Sequence, residues 1–233
     1  MQPMGAEPID PRWPRLLGLA VHEFRTPITV VAGYIRMLLK ERAGAISDQQ
    51  RRLLEEAEKS CGRLSALVSE MSDLSSLEGG TAALNRGSLD LAALLTEVIA
   101  ALPPLPDREV AVGLDGSSRP LPISADATRL RGALTSVLLA LRREVITTDR
   151  LIVRVRQSRG SEPSGYRILV ADAATIDSIG DPDPAALDRF DEWRGGSGLS
   201  LAIARRIIAQ HGGSLHAAPG GPAAAAIIFL PRQ

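Results

Sequence analysis

The amino-acid sequence predicts a long helical hairpin that pairs with a second copy as a dimeric four-helix bundle, followed by an α/β sandwich. Two observations predict the hairpin: apolar residues recur at steps of four and three over two stretches, and a short turn lies between them. A third predicts the sandwich, because short strand-like and helix-like segments are mixed from residue 86 onward. We therefore expect a disordered lead-in over 1–11, a helical domain over 12–80 and an α/β domain over 86–233.

Composition and charge exclude several classes of protein. Apolar residues make up 45% of the chain and aromatic residues 3%, so the cores are aliphatic. The 27 basic and 27 acidic residues cancel, and no basic patch indicates nucleic-acid binding. Cys61 is the only cysteine, which excludes a disulfide framework and a cysteine-based zinc site.

Hydropathy indicates a cytoplasmic protein. No apolar run approaches the roughly 20 residues of a membrane helix. Residues 1–13 lack the apolar centre of a signal peptide. A membrane-bound parent trimmed to this region would look the same.

The first helix is predicted from about Pro11 to Arg42. Its apolar seam consists of Leu17, Val21, Phe24, Ile28, Val31, Ile35 and Leu38. His22 follows a seam position, and one residue is about 100° of helical rotation, so its imidazole lies on the shoulder of the seam. Glu23 is its neighbour, and an exposed imidazole beside a carboxylate is a plausible nucleophile with its own base. Pro27 removes a backbone donor and should loosen the helix one turn after the histidine.

The second helix begins after a turn at residues 43–46. Ser47 and Gln50 form a capping box, in which each side chain can bond the other residue's amide. Its seam consists of Leu54, Ala57, Cys61, Leu64, Val68, Met71 and Ser75. Cys61 is interpreted as a small core residue. The apolar faces are wider than one hairpin can bury, which predicts the dimer.

The second half is predicted to hold eight further elements. They are a helix at 91–99, strands at 109–114 and 121–124, a helix at 127–145, paired strands at 151–156 and 166–172, a helix at 199–211 and a strand at 224–230. This order predicts an α/β sandwich with helices on one face of a sheet.

The hexapeptide His22-Glu23-Phe24-Arg25-Thr26-Pro27 resembles the H-box of bacterial two-component sensor histidine kinases. The resemblance implies that His22 accepts a phosphoryl group from ATP and passes it to an aspartate of a response regulator. It also implies that Glu23 is the acid/base residue and that Thr26 orients a water in the reverse, phosphatase reaction. The implied partners are a second copy of the chain and a receiver domain. Residues 1–21 leave no room for a sensor domain before His22, so we expect that input comes from a separate sensor protein or that there is none.

The second half resembles the ATP-binding domain of the same kinases, which has the Bergerat (GHKL ATPase) fold. The G2-box resemblance rests on Gly195, Gly196, Gly198 and Leu199, with His211-Gly212-Gly213 downstream. Glycines before a helix let backbone amides approach phosphates, and the helix N-terminus attracts their charge. Phe190 occupies the position of the F-box phenylalanine.

Two other boxes depart from the family pattern. In the N-box helix, Ser136 takes the first asparagine position and Ala140 the second, whose side-chain oxygen holds Mg²⁺. In the G1-box, Asp172 is present and would bond the adenine amino group, but Ala174 and Ile176 replace both glycines. ATP and Mg²⁺ are thus implied by resemblance, and Ala140 is expected to weaken catalysis more than folding.

The segment from Asp177 to Arg194 is short for an ATP lid. Its run Asp181-Pro182-Asp183-Pro184 is predicted to be a rigid turn, and the sequence predicts no metal site from its own acidic or histidine residues.

Three functions remain open at this point. The first and preferred one is an autokinase phosphorylated on His22. The second is an ATP-independent histidine phosphotransferase whose nucleotide site has decayed, which Ala140 and Ile176 favour. The third is a pseudokinase that acts by binding a partner, and the intact Glu23 and Thr26 argue against it.

Overall fold

The computed structural model describes residues 12–80, 83–116, 119–158, 164–182, 187–192, 198–218 and 224–232. The predicted lead-in over 1–11 therefore lies outside the described residues. The chain separates into two compact units, Met1–Ala82 and Ala83–Gln233.

The first unit is a hairpin of two long helices, α1 (Trp13–Leu39) and α2 (Asp48–Glu78). Helix α1 ends three residues before the predicted Arg42, and Glu41 takes a positive φ of 54° in the turn. The predicted capping box is present: the Gln50 amide donates to Ser47 Oγ at 3.2 Å, and the Ser47 amide donates to Gln50 Oε1 at 2.8 Å. A cap of this kind stabilises a helix by about 1 kcal/mol.

The predicted seam is only partly buried within one hairpin. The buried side chains are Leu17, Val21, Ala32 and Ile35 on α1, with Cys61, Val68 and Leu77 on α2. Ala32, Ile35 and Cys61 form one cluster, so the core position predicted for Cys61 is confirmed. Phe24 and Val31, predicted in the seam, are 52% and 48% exposed. In the predicted bundle, these two residues would be buried by the second copy.

The described residues of the second unit form two sheets and three helices. In chain order its elements are β1 (Gly87–Asp90), α3 (Leu91–Ala100), β2 (Ala111–Asp115), β3 (Pro122–Ala125), α4 (Ala127–Glu144), β4 (Arg150–Gln157), β5 (Gly165–Asp172), α5 (Ser200–Gln210), β6 (Ser214–Ala217) and β7 (Ala226–Pro231). The larger sheet has the order β2-β4-β5-β7-β6, in which only β2 and β4 run parallel. The smaller sheet pairs β1 with β3. Every helix and strand predicted for this half is present, within a few residues of its expected ends.

Two strands were not predicted. Strand β1 precedes α3 and was interpreted only as the lead-in to that helix. Strand β6 follows directly after Gly213, and its four residues are too few for an alternating pattern to stand out.

Aliphatic side chains fill the core between α3, α4, α5 and the larger sheet. The largest side chains with less than 2% exposure include Leu91, Leu95, Leu134, Leu141, Ile168 and Ile208. No helix in the described part of the chain combines the length and the apolarity needed to cross a membrane.

Candidate functional site

His22 lies on the surface of α1, as its position beside the seam predicted. Val21 before it is 4% exposed, whereas the His22 side chain is 78% exposed. Its Nδ1 lies 3.5 Å from Oε1 of Glu23, whose side chain is 72% exposed. The carboxylate therefore lies at the Nδ1 edge of the ring, which leaves Nε2 as the candidate nucleophile.

Helix α1 is continuous through Pro27, five residues after His22. In a regular helix the amide of residue 27 would bond the Glu23 carbonyl, and Pro27 has no such amide. Helix α1 nevertheless continues to Leu39. Thr26 is exposed, and Thr29 Oγ1 donates to the Arg25 carbonyl at 2.8 Å. A groove of about 170 Å³ lies next to this segment, lined by Arg25, Ile28, Thr29, Ser65, Val68 and Ser69.

Asp172 is 2% exposed at the end of β5, and its carboxylate is held by neighbours within its own unit. Its Oδ1 accepts from Thr148 Oγ1 at 3.0 Å and from the Ala174 amide at 2.8 Å. Its Oδ2 accepts from the Thr148 amide at 3.2 Å. A carboxylate has about four acceptor positions, so one position on Oδ2 is left for a further donor such as an adenine amino group. No pattern in the sequence indicated Thr148.

The predicted G1 segment folds into turns after Asp172. The amide of Ile176 donates to the Asp172 carbonyl at 3.0 Å. The Ile176 side chain is 3% exposed and joins a core cluster with Leu169, Ala171, Ala218 and Ala225. Its methyl groups therefore contribute to the hydrophobic core of this unit, which explains why the chain tolerates isoleucine at a glycine position.

The next residues, called here the crossing segment (177–182), are bound to the larger sheet by arginines. Arg154 contacts Asp177 at 2.7 Å, and Arg156 donates to the Gly180 carbonyl at 2.7 Å. Arg167, which is paired with Arg156 across β4 and β5, contacts Asp181 and donates to the Pro182 carbonyl at 2.9 Å. Asp177 and Asp115 hold the pKa of Arg154 above its usual value.

These contacts place residues 177–182 of the predicted lid against the sheet. Asp181 and Pro182, the first half of the predicted rigid turn, belong to the crossing segment. Asp183 and Pro184, the second half, lie outside the described residues.

The N-box positions supply little for a metal ion. Ser136 is half-buried and donates its Oγ hydrogen to the Gly132 carbonyl at 3.0 Å within α4. Ala140 is fully buried and has no side-chain oxygen. Magnesium requires oxygen ligands, so position 140 does not fit the ion. Among the described residues, no group of three or more histidine, cysteine or acidic side chains could hold a metal.

The predicted G2-box is described in part. Gly195 and Gly196 lie outside the described residues. Gly198 has a φ of +59°, a backbone conformation that glycine adopts without strain, and Leu199 is the N-cap of α5. Backbone amides at the start of this helix are of the kind that bind phosphate.

The structure explains the residue type at each position of the His211-Gly212-Gly213 turn. His211 is 2% exposed, and its Nδ1 lies 2.7 Å from the Ile207 carbonyl. Gly212 has a φ of +79°, and a Cβ on Gly213 would lie 2.2 Å from the Phe229 carbonyl oxygen. The turn thus ends α5 and lets the chain return beside β7. The amide of Asp126, at the start of α4, donates to His211 Nε2 at 3.0 Å. This bond could not be predicted, because the two residues are distant in sequence.

Comparison with known proteins identifies a phospho-acceptor domain in the first unit. Residues 15–80 match the family described as the His Kinase A (phospho-acceptor) domain. The chain is 26% identical over 226 residues to the circadian input-output histidine kinase CikA of Synechococcus elongatus, a match that covers 91% of this chain and 29% of that protein. It is 28% identical over 207 residues to the sensor protein GacS of Pseudomonas syringae, which covers 83% of this chain and 22% of that protein.

The fold has solved counterparts. Full-length ShkA, whose structure is a complex with AMPPNP, matches with a TM-score of 0.66 and 24% identity over 93% of this chain and 45% of that one. This likeness confirms the predicted order of a helical hairpin and an α/β domain. The chain spans less than a third of the length of CikA and GacS. Residues 15–80 thus match a phospho-acceptor domain, and the chain is similar to a histidine kinase and a sensor protein over most of its length.

Proposed function

We propose that this chain is the core of a two-component histidine kinase that is phosphorylated on His22 and passes the phosphoryl group to an aspartate of a response regulator. The observation that carries the proposal is the exposed His22 with Glu23 Oε1 3.5 Å from its Nδ1, inside a segment that matches a phospho-acceptor domain. The named relatives are histidine kinases and sensor proteins, which supports the kinase over a pseudokinase. Such a core acts in the cytoplasm, where ATP is available.

The chemistry assigned to His22 follows from its two ring nitrogens. Glu23 keeps a hydrogen on Nδ1, so Nε2 presents its lone pair to the incoming phosphorus. Bound ATP supplies the γ-phosphoryl group: a bond from Nε2 to phosphorus forms, the bond from phosphorus to the bridging oxygen breaks, and ADP leaves. Glu23 stabilises the positive charge that develops on the ring and takes up the Nδ1 hydrogen.

The second unit would hold the nucleotide with a reduced set of groups. Asp172 has one acceptor position left for the adenine amino group, and the start of α5 offers amides near Gly198 and Leu199. Gly195, Gly196 and Ser136 complete the set that the resemblance implies. Ala140 supplies no ligand to Mg²⁺, so any bound ion would rely on phosphate oxygens and water.

The proposed partners are a second copy of the chain and a receiver domain. Large apolar side chains remain exposed on both helices of the hairpin: Trp13, Leu16, Leu19, Phe24, Val30, Val31, Tyr34, Met37, Leu53, Leu64 and Leu67. A surface this rich in apolar groups is typical of a subunit interface. In the proposed transfer, the receiver's aspartate oxygen bonds to phosphorus as the bond from phosphorus to Nε2 breaks, and Glu23 returns the hydrogen to Nδ1, so His22 regains its neutral form.

The test is incorporation of label from γ-labelled ATP with Mg²⁺ by the full chain, next to the His22→Ala variant. Acid-labile label on the wild type alone is the expected result. The Glu23→Gln variant keeps the size of the side chain and should label more slowly. A folded wild type that takes no label from ATP, yet accepts phosphoryl from a phosphorylated receiver domain, would overturn the autokinase proposal and indicate an ATP-independent phosphotransferase.

A further inference from the structure

His211 in the second unit is buried and holds one defined tautomer. Its Nδ1 lies 2.7 Å from the Ile207 carbonyl oxygen, and its Nε2 lies 3.0 Å from the amide nitrogen of Asp126. A carbonyl can only accept and an amide can only donate, so the hydrogen is on Nδ1 and the lone pair is on Nε2. The imidazole is therefore neutral, and it joins the end of α5 to the start of α4.

Asp126 extends this connection to a third part of the unit. It is the N-cap of α4, and its Oδ1 accepts from the Arg129 amide at 3.1 Å. Its Oδ2 accepts from the amide of Asn85 at 3.0 Å. Asn85 belongs to residues 83–86, called here the leading segment, through which the chain continues from α2 toward β1. Arg86 in the same segment donates to the Gln210 carbonyl at 2.8 Å, a second contact with the end of α5.

In each of the two helices joined by His211, the nucleotide-box residues lie away from the end that His211 contacts. Helices α4 and α5 pack against each other. Because the start of one contacts the end of the other, they run in opposite directions. Ser136 and Ala140, in the second half of α4, therefore lie toward the start of α5, where Gly198 is found. Ten residues of helix, or about 15 Å, separate Asp126 from Ser136.

We propose that His211 is a positioning residue that fixes α4 and α5 to the leading segment, so that a displacement of this segment is passed to the residues that flank the nucleotide. His211 touches none of those residues and acts through the packed helix pair, since close-packed helices move as bodies. The nucleotide part of this inference rests on the proposed function, and the link to the leading segment does not.

Two substitutions distinguish the effect of the hydrogen bond from the Asp126 amide to His211 from the effect of the ring's packing. In His211→Leu the side chain has no acceptor, which leaves the Asp126 amide buried without a partner. In His211→Gln the amide oxygen can replace Nε2 as that acceptor. His216→Gln is the matched control, because it changes the other histidine of this unit, on β6.

The experiment is amide hydrogen exchange on the full chain, together with steady-state phosphorylation from Mg-ATP. Loss of one buried bond should speed exchange at Asn85 and Arg129 by about tenfold in His211→Leu, with β5 amides changed less. The KM for ATP should rise while phosphoryl transfer between His22 and a receiver domain keeps its rate. His211→Gln should restore both the exchange rate at Asn85 and the KM.

Two results would overturn the inference. One is unchanged exchange at Asn85 in His211→Leu, and the other is equal acceleration at Asn85 and throughout β5, which marks a general loss of stability. A wild type that takes no label from ATP would instead count against the proposed function, and the exchange data would still decide whether His211 holds the leading segment.

Discussion

Thr148 donates two hydrogen bonds to the buried carboxylate of Asp172, one from its amide at 3.2 Å and one from its hydroxyl at 3.0 Å. The same hydroxyl accepts from the amide of Arg150 at 3.1 Å. Thr148 therefore fixes both the position of the proposed adenine-binding side chain and the start of β4.

Replacement of Thr148 by valine tests this relationship. Valine keeps the shape of the side chain and removes the hydroxyl, so the free energy of unfolding of the second unit should fall by about 1–2 kcal/mol. Urea denaturation measures the change, and Thr147→Val, at an exposed neighbouring position, is the control. Equal stability of the two variants would show that the hydroxyl contributes nothing measurable.

Restoring an amide at position 140 tests the proposed reason for a weak metal site. Ala140→Asn should raise phosphorylation from Mg-ATP, because asparagine supplies the side-chain oxygen that alanine lacks. Ala133→Asn is the control, since Ala133 is also buried and lies two turns earlier on α4. A loss of labelling in Ala140→Asn with an unfolding midpoint equal to that of the wild type would contradict the alignment of this helix.

The Thr26 hydroxyl is predicted to act in the phosphatase direction only. Thr26 is exposed and its replacement should leave α1 intact. Thr26→Ala should slow dephosphorylation of a phosphorylated receiver domain by about tenfold or more, because a positioned water is lost, and spare transfer from His22. Thr29→Ala on the same helix should leave both rates unchanged. Equal loss of both rates in Thr26→Ala would assign the residue a structural role.

Asp126 predicts how the second unit responds to acid. Burial by itself raises the pKa of this carboxyl, but hydrogen bonds from the amides of Arg129 and Asn85 and the charge of Arg129 outweigh it, and the pKa is lowered from 3.8. A carboxyl whose pKa is lower in the folded chain stabilises the fold above its unfolded pKa. That contribution is lost as the pH falls through the folded value.

Stability measured by urea denaturation from about pH 5 downward checks this response, because the ordinary pKa of the carboxyl lies in this range and the folded pKa lies below it. The free energy of unfolding should fall more steeply for the wild type than for Asp126→Asn, whose side chain does not titrate. Asp107→Asn, at an exposed position, should follow the wild type. Parallel curves for the wild type and Asp126→Asn would contradict the prediction.

Because part of the apolar seam is exposed in a single chain, a charged side chain placed there should weaken dimerisation. Val31 is 48% exposed on α1, and a glutamate there would be buried in the proposed bundle. Val31→Glu should weaken self-association by at least about tenfold, as measured by sedimentation equilibrium. Gln49→Glu adds the same charge at an exposed position of α2 and should not. An unchanged association constant for Val31→Glu would place the interface elsewhere.

Features that depend on neighbouring residues could be predicted from sequence. The Ser47–Gln50 capping box and the helix after Asp126 follow from local hydrogen-bond chemistry, and both are present. The exposure of His22 followed from its angle to the seam. Phe24 was assigned to the same seam. Whether a seam residue contacts α2 of its own chain or a helix of the second copy could not be predicted, because it depends on how the two chains pair.

Contacts between distant residues could not be predicted. Arg167 meets the crossing segment only because β4 and β5 bring two arginines opposite each other. Ile176 looked like an obstacle at a glycine position, and only the fold shows that its side chain enters the core. His211 and Asp126 are 85 residues apart, and no periodic pattern indicates their bond.

Cys61 gives the hairpin a built-in chemical reporter. It is the only thiol in the sequence, and it is 8% exposed in the cluster with Ala32 and Ile35. Because so little of this side chain is exposed, its modification by a thiol reagent should speed up when α1 and α2 separate around this cluster. The rate of thiol modification then reports how often the helices separate. A change in this rate when His22 is phosphorylated would show whether phosphorylation loosens or tightens the hairpin.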